Sequence, residues 1–312
     1  MSCRIPETNA YLSSLASTPL TPVALDGGPV IWCKLEFLNP SGSTKDRIAR
    51  FILSKAWREG HLTREHTVIE ASSGSTSIAM ALVCAQLGVR FLAVMPEGVS
   101  NERVMMIRAY GGEIRLTPKE GGIPGAIAET ERIAAEIPAF LPRQFANPDN
   151  AQAHRLTTAR EILDQIPGGL VDAVVSGVGT GGTLVGLFQG FRDGGCEAKP
   201  FHAKPTMIEG GSAPDIECCS FSGRIPGVVD RVSQIFREED LPGLEVLEIR
   251  DEQAIETTRK LIRLGFPVGP SSGLNYLGAL EAARRLENKA PQVVTVFADR
   301  MERYFTTELF KK

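Results

Sequence analysis

The stretch DAVVSGVGTGGTLVGLF, residues 172–188, decides how this chain folds. Its first residues form a short apolar, β-branched run, read as a strand over 172–177. A helix over 183–192 follows, with Leu184, Val185, Leu187 and Phe188 supplying the apolar side. Between them the glycines turn the chain tightly. Strand, tight loop and helix together are the repeating unit of a parallel sheet. Gly177, Gly179 and Gly182 also spell G-x-G-x-x-G between strand and helix, the context in which that motif binds a phosphate at a helix N-terminus. One reading is a dinucleotide site, with Glu209 at the end of the next strand as ribose partner. Against it, such a site usually opens its domain, and this one comes late. Thr180 and Thr183 add hydroxyls suited to a terminal phosphate, so a phosphate cradle is expected on either reading. Glycines used for packing alone are the third alternative.

The same alternation extends outward. PVIWCKLEF (29–37), HTVIEAS (66–72), RFLAVMP (90–96), GEIRLT (112–117), KPTMIEG (204–210) and QVVTVFA (292–298) read as strands. Several are continuous Val/Ile runs, as parallel strands buried on both faces require. Helical periodicity fills 45–58, 76–88, 100–110, 124–136, 150–165, 251–264 and 273–287. Right-handed βαβ units and a doubly wound α/β architecture follow. The pattern is interrupted at AFLPRQFANPDN (139–150), the expected boundary region. At 312 residues the chain suits two domains or one large α/β unit. A net charge of −3 gives no electrostatic case for nucleic acid or an anionic membrane. No apolar run approaches the roughly 18 residues of a membrane span, and MSCRIPETNAYLSS lacks the apolar stretch of a signal peptide, so a cytoplasmic setting is expected. The six cysteines and four histidines show no metal-site spacing; no metal is expected, and the thiols read as reduced and mostly structural.

Two further junctions join strand to helix through small polar residues. In NPSGSTKDRIARF (39–51), Ile48, Phe51, Ile52 and Ala56 recur at helical spacing, so a helix begins near Lys45 and stops at Gly60. A lysine at a helix N-terminus is disfavoured as a cation, which tends to lower its pKa and raise its nucleophilic fraction. The plain alternative is an exposed first-turn lysine beside Asp46. In EASSGSTSIAMAL (70–82), the hydroxyls of Ser72, Ser73, Ser75 and Thr76 gather at a helix start, an anion site suited to a carboxylate or phosphate. The alternative there is a flexible loop with an N-cap, which needs one hydroxyl rather than four. A nucleophilic lysine, a substrate anion site and a phosphate cup on one sheet suggest pyridoxal 5′-phosphate.

These motifs resemble the cysteine synthase and cystathionine β-synthase group of fold-type II pyridoxal-phosphate enzymes, over nearly the whole chain from STPLTPV (17–23) to ERYFTTELF (302–310). KLEFLNPSGSTKDRIA (34–49) is similar to the group's lysine segment, which implies that Lys45 is the Schiff-base lysine. GVGTGGT (177–183) resembles its phosphate loop and carries over Gly179, Thr180, Gly181, Gly182 and Thr183. GPSSG (269–273) resembles the segment whose first serine, here Ser271, bonds the pyridine nitrogen. QFANPDN (144–150) makes Gln144 a candidate near the substrate carboxylate, beside Ser72, Ser73 and Thr76. The carboxylate loop of the group usually reads T-S-G-N-T-G and here reads S-S-G-S-T-S, so Ser75 stands where an asparagine contacts the cofactor's 3′-oxygen and the substrate.

The resemblance implies two doubly wound parallel-sheet α/β domains of the tryptophan synthase β type, with the cofactor in the cleft between them. A smaller substrate-binding domain is expected over 36–145, and a larger phosphate-binding domain over 1–35 plus 146–312. It implies a homodimer acting on a small amino acid. It also implies β-replacement on an O-activated serine through an α-aminoacrylate, with cysteine formation from O-acetylserine and sulfide as the leading reaction. O-phosphoserine, serine or cysteine as donor, a nitrogen nucleophile, or cysteine desulfuration are the runners-up. The replacement at Ser75 keeps open a non-catalytic, cofactor-binding regulatory relative. Arg224, in SGRIPG (222–227), is a weaker candidate for a phosphate leaving group, against the plainer reading of a solvated loop arginine.

Overall fold

The computed structural model describes residues 17–206, 224–228, 232–287 and 290–311. In chain order its strands are β1 (Leu20–Val23), β2 (Ile31–Lys34), β3 (Thr67–Ala71), β4 (Arg90–Pro96), β5 (Glu113–Thr117), β6 (Ala139–Phe140), β7 (Ala173–Ser176), β8 (Lys199–Thr206), β9 (Glu245–Arg250) and β10 (Val293–Val296). They form two sheets, one of six strands in the order β1-β2-β10-β7-β8-β9 and one of four in the order β5-β4-β3-β6. Every pairing is parallel except β1 with β2. β3, β7 and β10 are buried along their whole length, as strands covered by helices on both faces must be.

The helices are α1 (Lys45–Arg58), α2 (Ser75–Leu87), α3 (Asn101–Ala109), α4 (Gly122–Ala134), α5 (Asp149–Ala153), α6 (Ala159–Gln165), α7 (Gly182–Asp193), α8 (Asp251–Arg263) and α9 (Pro270–Arg285). A π-helical turn, His154–Thr158, separates α5 from α6 where one helix over 150–165 is expected. Three glycines at i, i+4 spacing on α7, continued by Gly194 at its C-cap, let this segment lie against it at backbone contact. A Cβ on Gly186 would stand 2.2 Å from the Ala151 carbonyl, on Gly190 2.4 Å from the Ala159 Cβ, and on Gly194 2.5 Å from a Leu163 methyl. Part of the glycine-rich stretch therefore serves packing as well as the loop.

Three strands escape the expected pattern. β9 alternates exposed and buried residues and carries Glu245, Glu248 and Arg250, so it has no continuous apolar run. β1 and β6 are short. β8 starts at Lys199 rather than 204, its beginning disguised by Pro200 and His202. The remainder of the expected strand over 204–210, with Glu209, lies outside the described residues.

A buried ionic cluster fixes α1 on the larger sheet. Arg47 donates to both oxygens of the fully buried Glu36, at 2.8 and 3.0 Å, and also pairs with Glu161, which reaches Lys34 at 2.8 Å. Burial pushes the Glu36 carboxyl up, but Arg47 and Thr18 overcome it and hold it at about 2. Among the described residues no helix is long and apolar enough to cross a membrane, and no cluster of three or more acidic, His or Cys side chains could hold a metal. Cys33, Cys84 and Cys196 are free and buried.

Candidate active site

The carboxyl ends of β3, β7 and β10 and the first residues of α1 and α9 surround one cleft, the place where open parallel sheets bind ligands. It encloses about 990 Å³, counting the space open to solvent at its mouth. Lys45 lines it, as do Ser72, Ser73, Ser75, Thr76 and Gln144 from the smaller sheet's side. Gly179, Thr180, Gly181, Thr183 and Ser271 line it from the other side. Gly182 stands one layer behind, against Asn150.

Lys45 is the first residue of α1. The turn before it is tied to the larger sheet, since the Thr44 amide donates to the Ala298 carbonyl at 2.8 Å and Ser43 bridges to Asp299. Ile48, Ala49, Ile52 and Leu53 bury the helix behind it. Removal from water within the cleft lowers the Lys45 pKa to about 8, against an opposing pull from Asp299. Burial is thus the cause the structure assigns, where the sequence pattern offered the helix dipole. At pH 7 a pKa of about 8 leaves roughly a tenth of the amine neutral, against less than a thousandth for a free lysine.

The four hydroxyls of the S-S-G-S-T loop divide into two tasks. Ser72 Oγ accepts from the Gly74 amide at 2.8 Å and the Ser77 amide at 3.4 Å, holding the loop's shape. Thr76 donates to Gln144 Oε1 at 2.5 Å, while Gln144 Nε2 donates to the Ala71 carbonyl at 2.6 Å. Ser73 and Ser75 line the cleft outside that scaffold. Gly74 takes φ +145, and a Cβ there would meet Arg103 at 2.3 Å, so only glycine fits. Arg103, 5% exposed, donates to the Ser73 carbonyl at 2.9 Å and brings a cation beneath the loop. Glu70 holds Gln144 from below by accepting its amide at 3.1 Å, and burial pushes the Glu70 carboxyl up to about 8.

On the opposite wall α7 begins at Gly182, with Gly181 in the left-handed region at φ +80. A Cβ on Gly179 would lie 2.2 Å from the Gly227 carbonyl, and one on Gly181 2.5 Å from the Phe236 Cβ. Bare backbone N–H groups at a helix start make a cradle for a dianion. Asn150 braces it, donating to Thr180 Oγ1 at 2.9 Å and to the Gln144 carbonyl at 2.8 Å. Thr183 meets His154 Nε2 at 3.3 Å, and burial drives that imidazole down to about 3, so it stays neutral. Ser271 lies in the first turn of α9, where Asn275 accepts from the Gly177 amide at 2.7 Å and donates to the Val296 carbonyl at 2.8 Å.

Arg103, Asn150, His154, Asn275, Asp299 and Tyr304 have no local signature and were not singled out from the sequence. Asn150 closes the matched segment QFANPDN, and Asn275 lies two residues beyond GPSSG. Arg224 does not line the cleft; it pairs with Glu252 at 2.6 Å and Glu308 at 2.8 Å.

Pyridoxal phosphate fits these residues. Gly179, Thr180, Gly181 and Thr183 line the cleft at the α7 start, where free backbone N–H groups suit a phosphate, and a lysine of lowered pKa stands in the same cleft. The family model for pyridoxal-phosphate dependent enzymes matches residues 13–299. A cysteine synthase of Staphylococcus aureus is 36% identical over 290 residues, covering 91% of this chain and 90% of that protein. A hydrogen sulfide-producing enzyme from Fusobacterium nucleatum superimposes with a TM-score of 0.86 at 33% identity, covering 97% of this chain and 92% of the other. An O-acetylserine dependent cystathionine β-synthase from Helicobacter pylori gives 0.83 at 31% identity, covering 99% and 100%. The dinucleotide reading of the glycine loop falls with these matches.

Proposed function

Because the chain belongs to the pyridoxal-phosphate dependent enzymes, we propose that its cleft performs β-replacement on an O-activated serine, and specifically forms cysteine from O-acetylserine and sulfide. The observation that carries the reading is the convergence on one cleft of a lysine with a pKa near 8 and two separate anion sites. Similarity to the S. aureus cysteine synthase supports the specific reaction. The expected division into a 36–145 domain and the remainder is kept with this proposal, supported by the four-stranded sheet lying within 67–140.

In this account Gly179, Thr180, Gly181, Gly182 and Thr183 hold the cofactor phosphate, Ser271 meets the pyridine nitrogen, and Lys45 anchors the aldehyde. When bound, pyridoxal phosphate supplies a conjugated ring that withdraws electrons from the substrate α-carbon. Ser73 and Ser75, with Thr76 and Gln144 shaping the wall behind them and Arg103 beneath, hold the substrate carboxylate. Lys45 Nζ takes the α-proton, and the β-substituent leaves with its bonding electron pair. Sulfide adds at the β-carbon, and Lys45 returns the proton.

Ser75 favours a second reading, since a hydroxyl is shorter than an asparagine amide and admits another donor or nucleophile. The test is a product assay with O-acetylserine, O-phosphoserine, serine and cysteine, each with and without sulfide. Fastest turnover of O-acetylserine to cysteine supports the proposal. Sulfide release from cysteine with no use of O-acetylserine moves the assignment to desulfuration, and a yellow protein inert to all four marks a regulatory relative.

A further inference from the structure

Beyond β10 the chain reaches Asp299, a residue only 6% exposed that lines the cleft with Lys45. Three segments clamp it. Its carbonyl accepts from the Gly269 amide at 2.9 Å, its backbone bridges to Ser43, and Tyr304 donates to its Oδ2 at 2.6 Å. Oδ1 is buried and has no hydrogen-bond partner. A carboxylate oxygen removed from water and left unpaired is strongly unfavourable, so a donor is expected to reach it in the working enzyme.

Several charged and titratable groups surround the pair. Arg103 on α3 gives Nη1 to the Ser73 carbonyl and lies over the Tyr304 ring at 5.5 Å, with its Nε buried and unpaired. Arg303 gives Nη1 and Nη2 to the Gly42 and Ser41 carbonyls at 3.1 and 2.5 Å and likewise keeps an unpaired Nε. Asp46 on α1 is held by Ser41 and Ser43, and His154 stays neutral. Lys45 lines the same cleft, and of the three cations it is the one whose charge changes as a proton is taken and returned. Arg303, Arg103 and Lys45 all pull against the burial that raises the Asp299 carboxyl, and Asp299 in turn favours the protonated Lys45.

We propose that Asp299 is the positioning residue of Lys45: Tyr304 pins one carboxylate oxygen, and Oδ1 accepts an N–H from the Lys45 ammonium whenever that amine carries a proton. This rests on the reading of Lys45 as cofactor anchor and base. Lys45 Nζ gains its proton from the substrate α-carbon and later returns it, while Asp299 only accepts and releases a hydrogen bond, so the cycle balances. The pair keeps the protonated lysine inside the cleft, aimed at the carbon to which the proton goes back.

The test uses full-length protein stripped of cofactor and supplied again with pyridoxal phosphate, with uptake rate followed by absorbance across pH. Only the neutral amine reacts, so the profile inflects where Lys45 loses its proton. Asp299→Asn keeps the size and an acceptor for Tyr304 but removes the charge. Its inflection is expected to fall by about one pH unit or more, with uptake below the inflection roughly tenfold faster. Asp299→Ser, run in parallel, is expected to do the same should the amide fail to fold. Tyr304→Phe retains the charge and should move the inflection far less. An unmoved inflection in the Asp299 variants, or an equal shift in Tyr304→Phe, overturns the proposal. Borohydride reduction of the wild type keeps the two claims apart: an adduct on another lysine defeats the reading of Lys45 itself, whereas a Lys45 adduct with an unmoved inflection defeats only the role of Asp299.

Discussion

Gly182→Ala sets helix propensity directly against packing. Gly182 is the first residue of α7, and in a helix alanine is favoured over glycine by about 0.5–1 kcal/mol. Here the added Cβ would stand 1.9 Å from Asn150 Oδ1 and 2.6 Å from its Cγ. Asn150 is fully buried, so it has no solvent to swing into. Its displacement breaks the bonds to Thr180 at 2.9 Å and the Gln144 carbonyl at 2.8 Å. Overpacking of this kind costs about 1–3 kcal/mol, and each lost hydrogen bond about 0.5–1.5 kcal/mol. Packing wins, with a net loss of about 2–4 kcal/mol and a fall in thermal midpoint of about 3–6 °C. Because Thr180 is part of the proposed phosphate cradle, affinity for pyridoxal phosphate should fall about tenfold or more. Circular-dichroism melting of cofactor-free protein and fluorescence titration with pyridoxal phosphate measure the two effects. Gly190→Ala is the control, since its Cβ would meet Ala159 at 2.4 Å away from the cleft; it should lose stability and keep affinity. A Gly182→Ala protein that melts at or above the wild-type midpoint with unchanged affinity would refute the reasoning.

Ser75→Asn restores a longer side chain with two donors, and should raise O-acetylserine sulfhydrylation about three- to tenfold; steady-state rates of cysteine formation check this, and a slower mutant means that serine already suits the reaction. Glu70→Gln addresses stability against pH. Burial raises the folded carboxyl from 4.5 to about 8, so the unfolded chain gives up this proton first. The resulting penalty is absent below about pH 4.5, grows by about 1.4 kcal/mol per pH unit through that window, and is constant above pH 8. The wild-type midpoint should therefore fall more steeply between pH 5 and 8 than that of the amide variant, and parallel melting curves would contradict the shift.

What was legible in the sequence was what is local in the chain. Strand and helix alternate plainly in 172–188 because β7 is buried along its length and opens with the apolar run Ala173, Val174 and Val175. Lys45, the S-S-G-S-T loop and the glycine loop announce themselves because each site is a contiguous strand-to-helix junction. β9 was hidden by charges on its exposed face, and β8 by its prolines. The π-helical turn at His154–Thr158 answers to the close approach of α7, which no local pattern encodes. The same holds for the support of the site. Asp299, Tyr304 and Arg103 meet only after the two sheets have formed, and a lone aspartate after a strand carries no signature. Burial, the main cause of the Lys45 shift, is likewise a property of the assembled cleft.

The central claim is that Lys45 carries the cofactor. Borohydride reduction of the purified, cofactor-loaded protein, followed by digestion and mass spectrometry, tests it most directly. The account predicts a pyridoxyl phosphate adduct on the peptide containing Lys45 and loss of that adduct in Lys45→Ala, whose fold is retained. An adduct on any other lysine, or one that persists in Lys45→Ala, would contradict it.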